Sequence, residues 1–198
     1  MVVGGRPPSS STASYVDVDN ESGARTAVEH LLRGGRRRVA TITGPLDMPV
    51  GVDRRAGYRR ALADAGIALD DGFEADGNFT QEGGAKAMRA ILARHGDVDG
   101  VFAASDLMAI GAVGELRRAG LRIPDDVAVV GFDDSAIAAA SEPPLTSIRQ
   151  PIEEMGREMT RLLLEAIETR SPVPKQVLLG TSLVVRESSA ATMGLRSA

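Results

Sequence analysis

Short, uninterrupted apolar runs alternate along this chain with segments whose apolar residues recur every three or four positions. Val39-Ala-Thr-Ile42, Val101-Phe-Ala-Ala104 and Val127-Ala-Val-Val130 are the runs, and each ends directly on turn residues. Continuous rather than alternating apolarity predicts strands covered on both faces, as in a parallel sheet. Helices are predicted between them. Residues 21–33 carry Ala24, Ala27, Val28, Leu31 and Leu32 on one stripe, with Asn20 as the expected N-cap and Gly34 as the stop. Residues 53–65 carry Tyr58, Ala61, Leu62 and Ala65, and residues 81–94 carry Ala85, Met88, Ile91 and Leu92. Residues 106–119 carry Ile110, Val113 and Leu116 behind Asp106 as expected N-cap.

Two of these helices end in one phrase, Ala65-Gly66-Ile67 and Ala119-Gly120-Leu121. A left-handed glycine after the last turn, then an apolar residue folding back, is a Schellman stop. Strands joined at this spacing by helical crossovers predict a doubly wound α/β fold. The last quarter differs. Leu145–Arg149 reads as extended, Pro151 precedes a helix from Ile152 to Thr169, and Gln176–Leu179 and Ser182–Arg186 read as extended again. That helix carries Ile152, Met155, Met159, Leu162, Leu163 and Ala166 on its stripe. Residues 5–14 and 188–198, rich in Gly, Pro, Ser and Ala, are expected to be flexible.

Composition narrows the classes. The chain has 198 residues and 43% hydrophobic positions, enough for a buried core. No apolar run approaches the roughly 18 residues that cross a membrane. The opening MVVGGRPPSSSTAS has no basic stretch leading into an apolar core, so no signal peptide is expected. With no cysteine there is no thiolate metal site and no Cys nucleophile. A net charge of −4 argues against nucleic-acid binding by this chain itself, and Arg36-Arg37-Arg38 reads as a solvated loop edge.

In open parallel sheets ligands sit outside the carboxyl ends of the strands. Behind the three runs stand Thr43-Gly44-Pro45 leading to Arg54, then Ser105-Asp106, then Gly131-Phe132-Asp133-Asp134. This supplies donors and acceptors but no evident nucleophile, which suits a polyhydroxylated ligand or a heterocycle. Asp106 reads first as a cap, Asp134 as capping the next turn, and Asp133 as having few structural duties. Arg54, near a helix start, serves either an ion pair or a ligand. Phe79, in the loop Gly77-Asn78-Phe79-Thr80, is either core or a ring-stacking platform. His30 and His95, far apart on predicted helices, read as structural. None of the nucleophile-elbow, phosphate-loop, zinc-protease or dinucleotide motifs occurs, so an enzyme is not expected, and neither is a cofactor or metal.

Several segments, in order, resemble the LacI/GalR (lac-repressor-like) family of transcriptional regulators. They are Val16-Asp-Val-Asp-Asn-Glu-Ser-Gly23 with Ala27–Leu32, Arg37–Pro45, Arg54 to Tyr58, Ala104–Gly111, Ile123–Asp134 and Pro143–Gln150. The likeness runs from about residue 2 to 188 and implies a two-lobed, periplasmic-binding-protein-like (type I) sensor of a small effector, a sugar or a purine. It implies effector contacts at Arg54, Phe79, Ser105, Asp133 and Gln150, with the chain crossing between lobes near 18–20, 149–151 and 179–181. Residues 19–149 with 182–187 would form a near-complete C-terminal lobe, residues 1–18 with 151–179 part of the N-terminal lobe, and 188–198 a flexible tail. The helix-turn-helix that reads operator DNA in the family lies outside this sequence, and the helix over 152–169 is expected to show exposed apolar surface. A cytoplasmic homodimer with helix 106–119 in its contact follows from the same likeness. The alternatives are a transporter's sugar-binding protein, an α/β enzyme using Asp133-Asp134, and a truncated product without function.

Overall fold

In the computed structural model, residues 1–7, 11–169 and 173–190 are described. Along them run β1 (Val2–Gly4), β2 (Ser14–Val18), α1 (Asn20–Arg33), β3 (Val39–Thr43), α2 (Pro49–Asp64), β4 (Glu74–Asp76) and α3 (Gln81–Arg94). Then follow β5 (Gly100–Ala103), α4 (Asp106–Arg118), β6 (Ala128–Asp133), α5 (Ala136–Ala140), β7 (Thr146–Arg149), α6 (Ile152–Thr169), β8 (Gln176–Leu179) and β9 (Ser182–Val184). The strands make two sheets, β1-β2-β8 and β4-β3-β5-β6-β7-β9. Every pairing is parallel except that of β7 with β9.

The continuous apolar runs are the inner strands of the larger sheet, and their period-two alternation feeds two cores. Val101 and Val129, paired in register, face Met88, Ile91, Met108 and Leu116 of α3 and α4. Phe102, Val130 and Phe132 face the other way, onto Leu31 of α1 and Tyr58 of α2. A sheet sandwiched between two helical layers is the doubly wound α/β fold. Both expected Schellman stops are present. Gly66 and Gly120 are left-handed at φ +68 and +79, and the following amides donate back to Leu62 and Leu116 at 2.9 and 3.0 Å.

Among the described residues, α6 is the helix that packs on the smaller sheet, against β1 and β2, with Leu162 as its one buried residue. Of the stripe expected to be exposed, Ile152 and Leu163 are exposed while Met155, Met159, Leu162 and Ala166 are at least half covered; Leu164 and Ile167, off that stripe, and Leu178 of β8 are more than half exposed. The chain passes between the sheets at Asp19, at Gln150 and at Gly180. These passages lie together: Asp19 N–H donates to Leu179 O at 2.8 Å, and Arg149 pairs with Ser182.

Several local expectations are corrected. Helix α2 starts at Pro49 rather than near 53, because a proline at the first helical position presents its fixed φ where no N–H is needed. The cap of α1 is Asp19, whose side chain accepts from Ser22 N at 2.9 Å, and the cap of α4 is Ser105, which accepts from Met108 N at 3.3 Å. The tail expected from 188 is anchored at its start. Ser188 is fully buried, donates its hydroxyl to Val129 O at 2.6 Å and accepts from Thr146 N at 2.8 Å. Residues 191–198 of that segment, and 8–10 of the other segment expected to be flexible, lie outside the described residues. The Arg36–Arg38 run is the exposed loop edge expected, with Arg37 and Arg38 exposed, Arg36 donating to Pro124 O at 2.6 Å, and the Arg37 and Arg38 amides donating to the Asp99 carboxylate.

Candidate functional site

Because β3, β5 and β6 are parallel, their carboxyl ends share one edge, and Arg54 reaches that edge from the second turn of α2. The side chain is 4% exposed at residue level. Its Nε donates to Asn20 Oδ1 at 2.9 Å, and its Nη1 donates to Ala104 O at 2.6 Å and to Asp133 Oδ1 at 3.4 Å. The guanidinium lies over the Phe132 ring, 3.6 Å from the centroid. Burial lowers its pKa to about 10, and Asp133 opposes the shift, so the group stays cationic at neutral pH. Burial likewise raises the Asp133 carboxyl, with Arg54 opposing. The same Asp133 Oδ1 accepts from Gln150 Nε2 at 2.6 Å, which ties the strand end to the passage between sheets.

Asp133 and Asp134 occupy left-handed backbone at φ +113 and +51. For a residue with a Cβ this costs energy, and the surroundings must hold it. The holder is Asp106, 1% exposed at the start of α4. Its Oδ2 accepts from Ser135 N and Oγ, both at 2.8 Å, and its Oδ1 accepts from Ser147 Oγ at 2.6 Å. Ser147 Oγ in turn accepts from Asp134 N at 3.0 Å. Burial raises the Asp106 carboxyl and these hydrogen bonds pull it back. Asp134 is committed elsewhere, paired with Arg149 at 2.6 Å and Arg186 at 2.7 Å. Adjacent in sequence, Asp133 and Asp134 therefore do separate work and do not form an acid–base pair.

Phe79 is placed by two consecutive left-handed residues, Asn78 at φ +49 and Phe79 at +52. They fold the ring back over Gly44, just past the end of β3. A Cβ on Gly44 would stand 2.0 Å from the ring, so glycine is what lets the ring lie there. Gly44→Ala is expected to push Phe79 off this seat, costing about 1–3 kcal/mol of stability as overpacking. If the ring is a ligand platform, affinity falls roughly tenfold as well, on the order of one aromatic contact. Thermal denaturation and ligand titration check the two parts separately, and unchanged affinity would remove Phe79 from the site.

A family model for the periplasmic binding protein-like domain matches residues 28–189. A regulatory protein of the LacI family from Chloroflexus aggregans is 37% identical, with a TM-score of 0.86 over 95% of this chain and 68% of that one. The chain belongs to the LacI family. It is also 51% identical over 189 residues to the HTH-type transcriptional regulator CelR of Thermobifida fusca, covering 94% of this chain and 56% of that protein. A solved CelR–cellobiose complex has a TM-score of 0.91 at 51% identity, covering 94% of this chain and 58% of that chain. This chain thus spans little more than half the length of CelR.

In this LacI-family domain Arg54, Asp133 and Gln150 are joined directly. Asp133 and Gln150 line a cleft of about 750 Å³ whose far wall is the start of α6, with Pro151, Glu153 and Arg157. Ser105 and Phe79 stand at the neighbouring strand ends without lining that cleft, and the Ser105 hydroxyl serves the α4 cap. Sequence reasoning missed the tasks of two residues. Asn20 bridges Arg54 to Asp17, and Asp106 anchors the Asp133 loop. His30 bonds Ser189 at 2.8 Å and His95 stacks on Phe73. Among the described residues no three metal-ligating side chains converge.

Proposed function

We infer that this chain is the effector-sensing module of a sugar-responsive transcriptional regulator. In this reading residues 19–149 with 182–187 form one lobe and residues 1–18 with 151–179 part of the other. The effector sits between them against Arg54, Asp133, Gln150, Phe79 and Ser105. The observation that carries the reading is the buried Arg54 held against Asp133 at the strand edge beside the cleft. The two charges cancel, which favours an uncharged ligand over a phosphorylated one. A carboxylate that accepts and a guanidinium that donates match the adjacent hydroxyls of a sugar. Half-buried Phe79 offers a face to the C–H side of a pyranose.

The CelR likeness supports a disaccharide of the cellobiose type as the effector. Its binding favours one arrangement of the lobes, which changes the operator affinity of a helix-turn-helix elsewhere in a longer polypeptide. Dimerisation through α4 and its neighbours in the cytoplasm completes the proposal. Calorimetric titration with cellobiose, glucose, ribose and adenosine tests it. Saturable binding of cellobiose, lost in Asp133→Ala, is the expected result. A chain that binds none of the sugars, or a variant that binds as well as the parent, overturns the sugar assignment.

A further inference from the structure

Resting on the site proposed above, we propose that Arg6 and Asp53 form an electrostatic clamp between the two sheets, which holds the cleft in its effector-competent arrangement and positions Arg54. Arg6 stands two residues past the end of β1 in the smaller sheet. Its backbone is fixed there, since Gly5 N donates to Val16 O at 2.8 Å and Arg6 N donates to Asp17 Oδ2 at 2.9 Å. Its guanidinium leaves that sheet and meets Asp53 Oδ1 on α2 at 2.6 Å. Among the described residues this is the one ion pair that joins a side chain from 1–18 or 151–179 to one of the larger-sheet unit.

Asp53 is the residue immediately before Arg54, so a displacement of this helical turn moves both. A second route runs through the interior. Asp17, 7% exposed, accepts the Arg6 amide on one oxygen and Asn20 Nδ2 on the other at 3.2 Å, and Asn20 Oδ1 receives Arg54 Nε at 2.9 Å. Arg6 therefore reaches the candidate ligand-binding arginine from two sides, once through its side chain and once through its own amide. Neither route depends on Asp133.

The clamp is half-exposed, with 44% and 22% of the two side chains accessible. Pairs of this kind add little to global stability and are screened by salt. A small bias suffices here, because two arrangements of a hinged protein differ by little and a ligand's apparent affinity scales with the fraction in the competent one. The expected consequence is a change of affinity without a change of fold.

The test uses Arg6→Ala, Asp53→Ala and the charge exchange Arg6→Asp with Asp53→Arg. Each single variant is expected to weaken cellobiose binding roughly two- to fivefold, as loss of one screened pair implies, with melting temperature unchanged. The charge exchange restores it. A neutral sugar offers no charge of its own, so raising NaCl to about 1 M should weaken binding to the parent and leave the single variants unaffected, since the pair is screened at that strength. Hydrogen–deuterium exchange without ligand is read in parallel, over 15–20 and 52–58, and should rise in both segments of the single variants. That readout is independent of the sugar. If the parent binds no sugar yet exchange rises as stated, the clamp stands and the effector assignment falls. Single variants with parental exchange, or an exchange pair that restores nothing, overturn the clamp.

Discussion

Replacing Arg54 with alanine is expected to abolish the proposed effector binding and to lower the melting temperature by roughly 10 °C, on the order of 3 kcal/mol for a chain of this length. Three acceptors lose a donor at once: the Asn20 side chain, the Ala104 carbonyl and the Asp133 carboxylate, which keeps Gln150. The face of Phe132 is left uncovered. Breaking a buried pair from one side strands the partner, and here the partner has already been raised by burial, so it loses the cation that opposes that shift. Arg54→Lys separates the effects. A lysine keeps the charge but cannot hold three acceptors in a planar fork, so stability recovers in part while affinity stays at least about 100-fold reduced. Denaturation and titration of both variants decide it, and a lysine variant with parental affinity would falsify the role given to Arg54.

Asp106→Ala is the second large effect, and it is expected to act mainly on stability. Three hydrogen bonds to one charged carboxylate are lost, each worth about 1.5–3 kcal/mol in general. The energy of burying that charge offsets part, which leaves a net loss of about 3 kcal/mol. Ser135 and Ser147 are then released, and with them the left-handed Asp133 and Asp134, so affinity is expected to drop although Asp106 does not line the cleft. Asp106→Asn keeps an acceptor for Ser135 and is expected to lose only about 1 kcal/mol. Urea denaturation reads both through the midpoint at constant slope. Losses below about 0.5 kcal/mol in both variants, the range of ordinary surface changes, would refute the anchoring role.

The larger sheet was legible because its inner strands are wrapped on both faces and so carry no alternation, a signature that helices do not share at that length. Strands β1 and β4, three residues each, are too short to leave a pattern. The smaller sheet rests on β2 meeting β8 from the far end of the chain, Val18 beside Leu179, which no local period encodes. Strand-end reasoning led directly to Arg54 and Asp133, whereas Gln150 came only from the family likeness. Both misplaced caps share one cause. Asp19-Asn20 and Ser105-Asp106 each offer two capping side chains in succession, and local sequence favours neither. In both pairs the first residue caps and the second turns inward to a distant partner, Asn20 to Arg54 and Asp106 to Ser135 and Ser147. The choice is made by tertiary partners that are invisible in the local sequence.

The three passages between the sheets, side by side at Asp19, Gln150 and Gly180, restrict motion in a way a single connector would not. A body on one tether can turn about any axis. Held by three adjacent strands that bond to one another, it can neither swivel nor slide without breaking backbone pairs, and one soft coordinate remains: flexing across the ribbon. Gln150, donating to Asp133 from within that ribbon, couples the coordinate to the cleft. If the cleft holds an effector as proposed, its occupancy is expected to read out as a single angle, which one distance between labels on α2 and α6 is enough to follow.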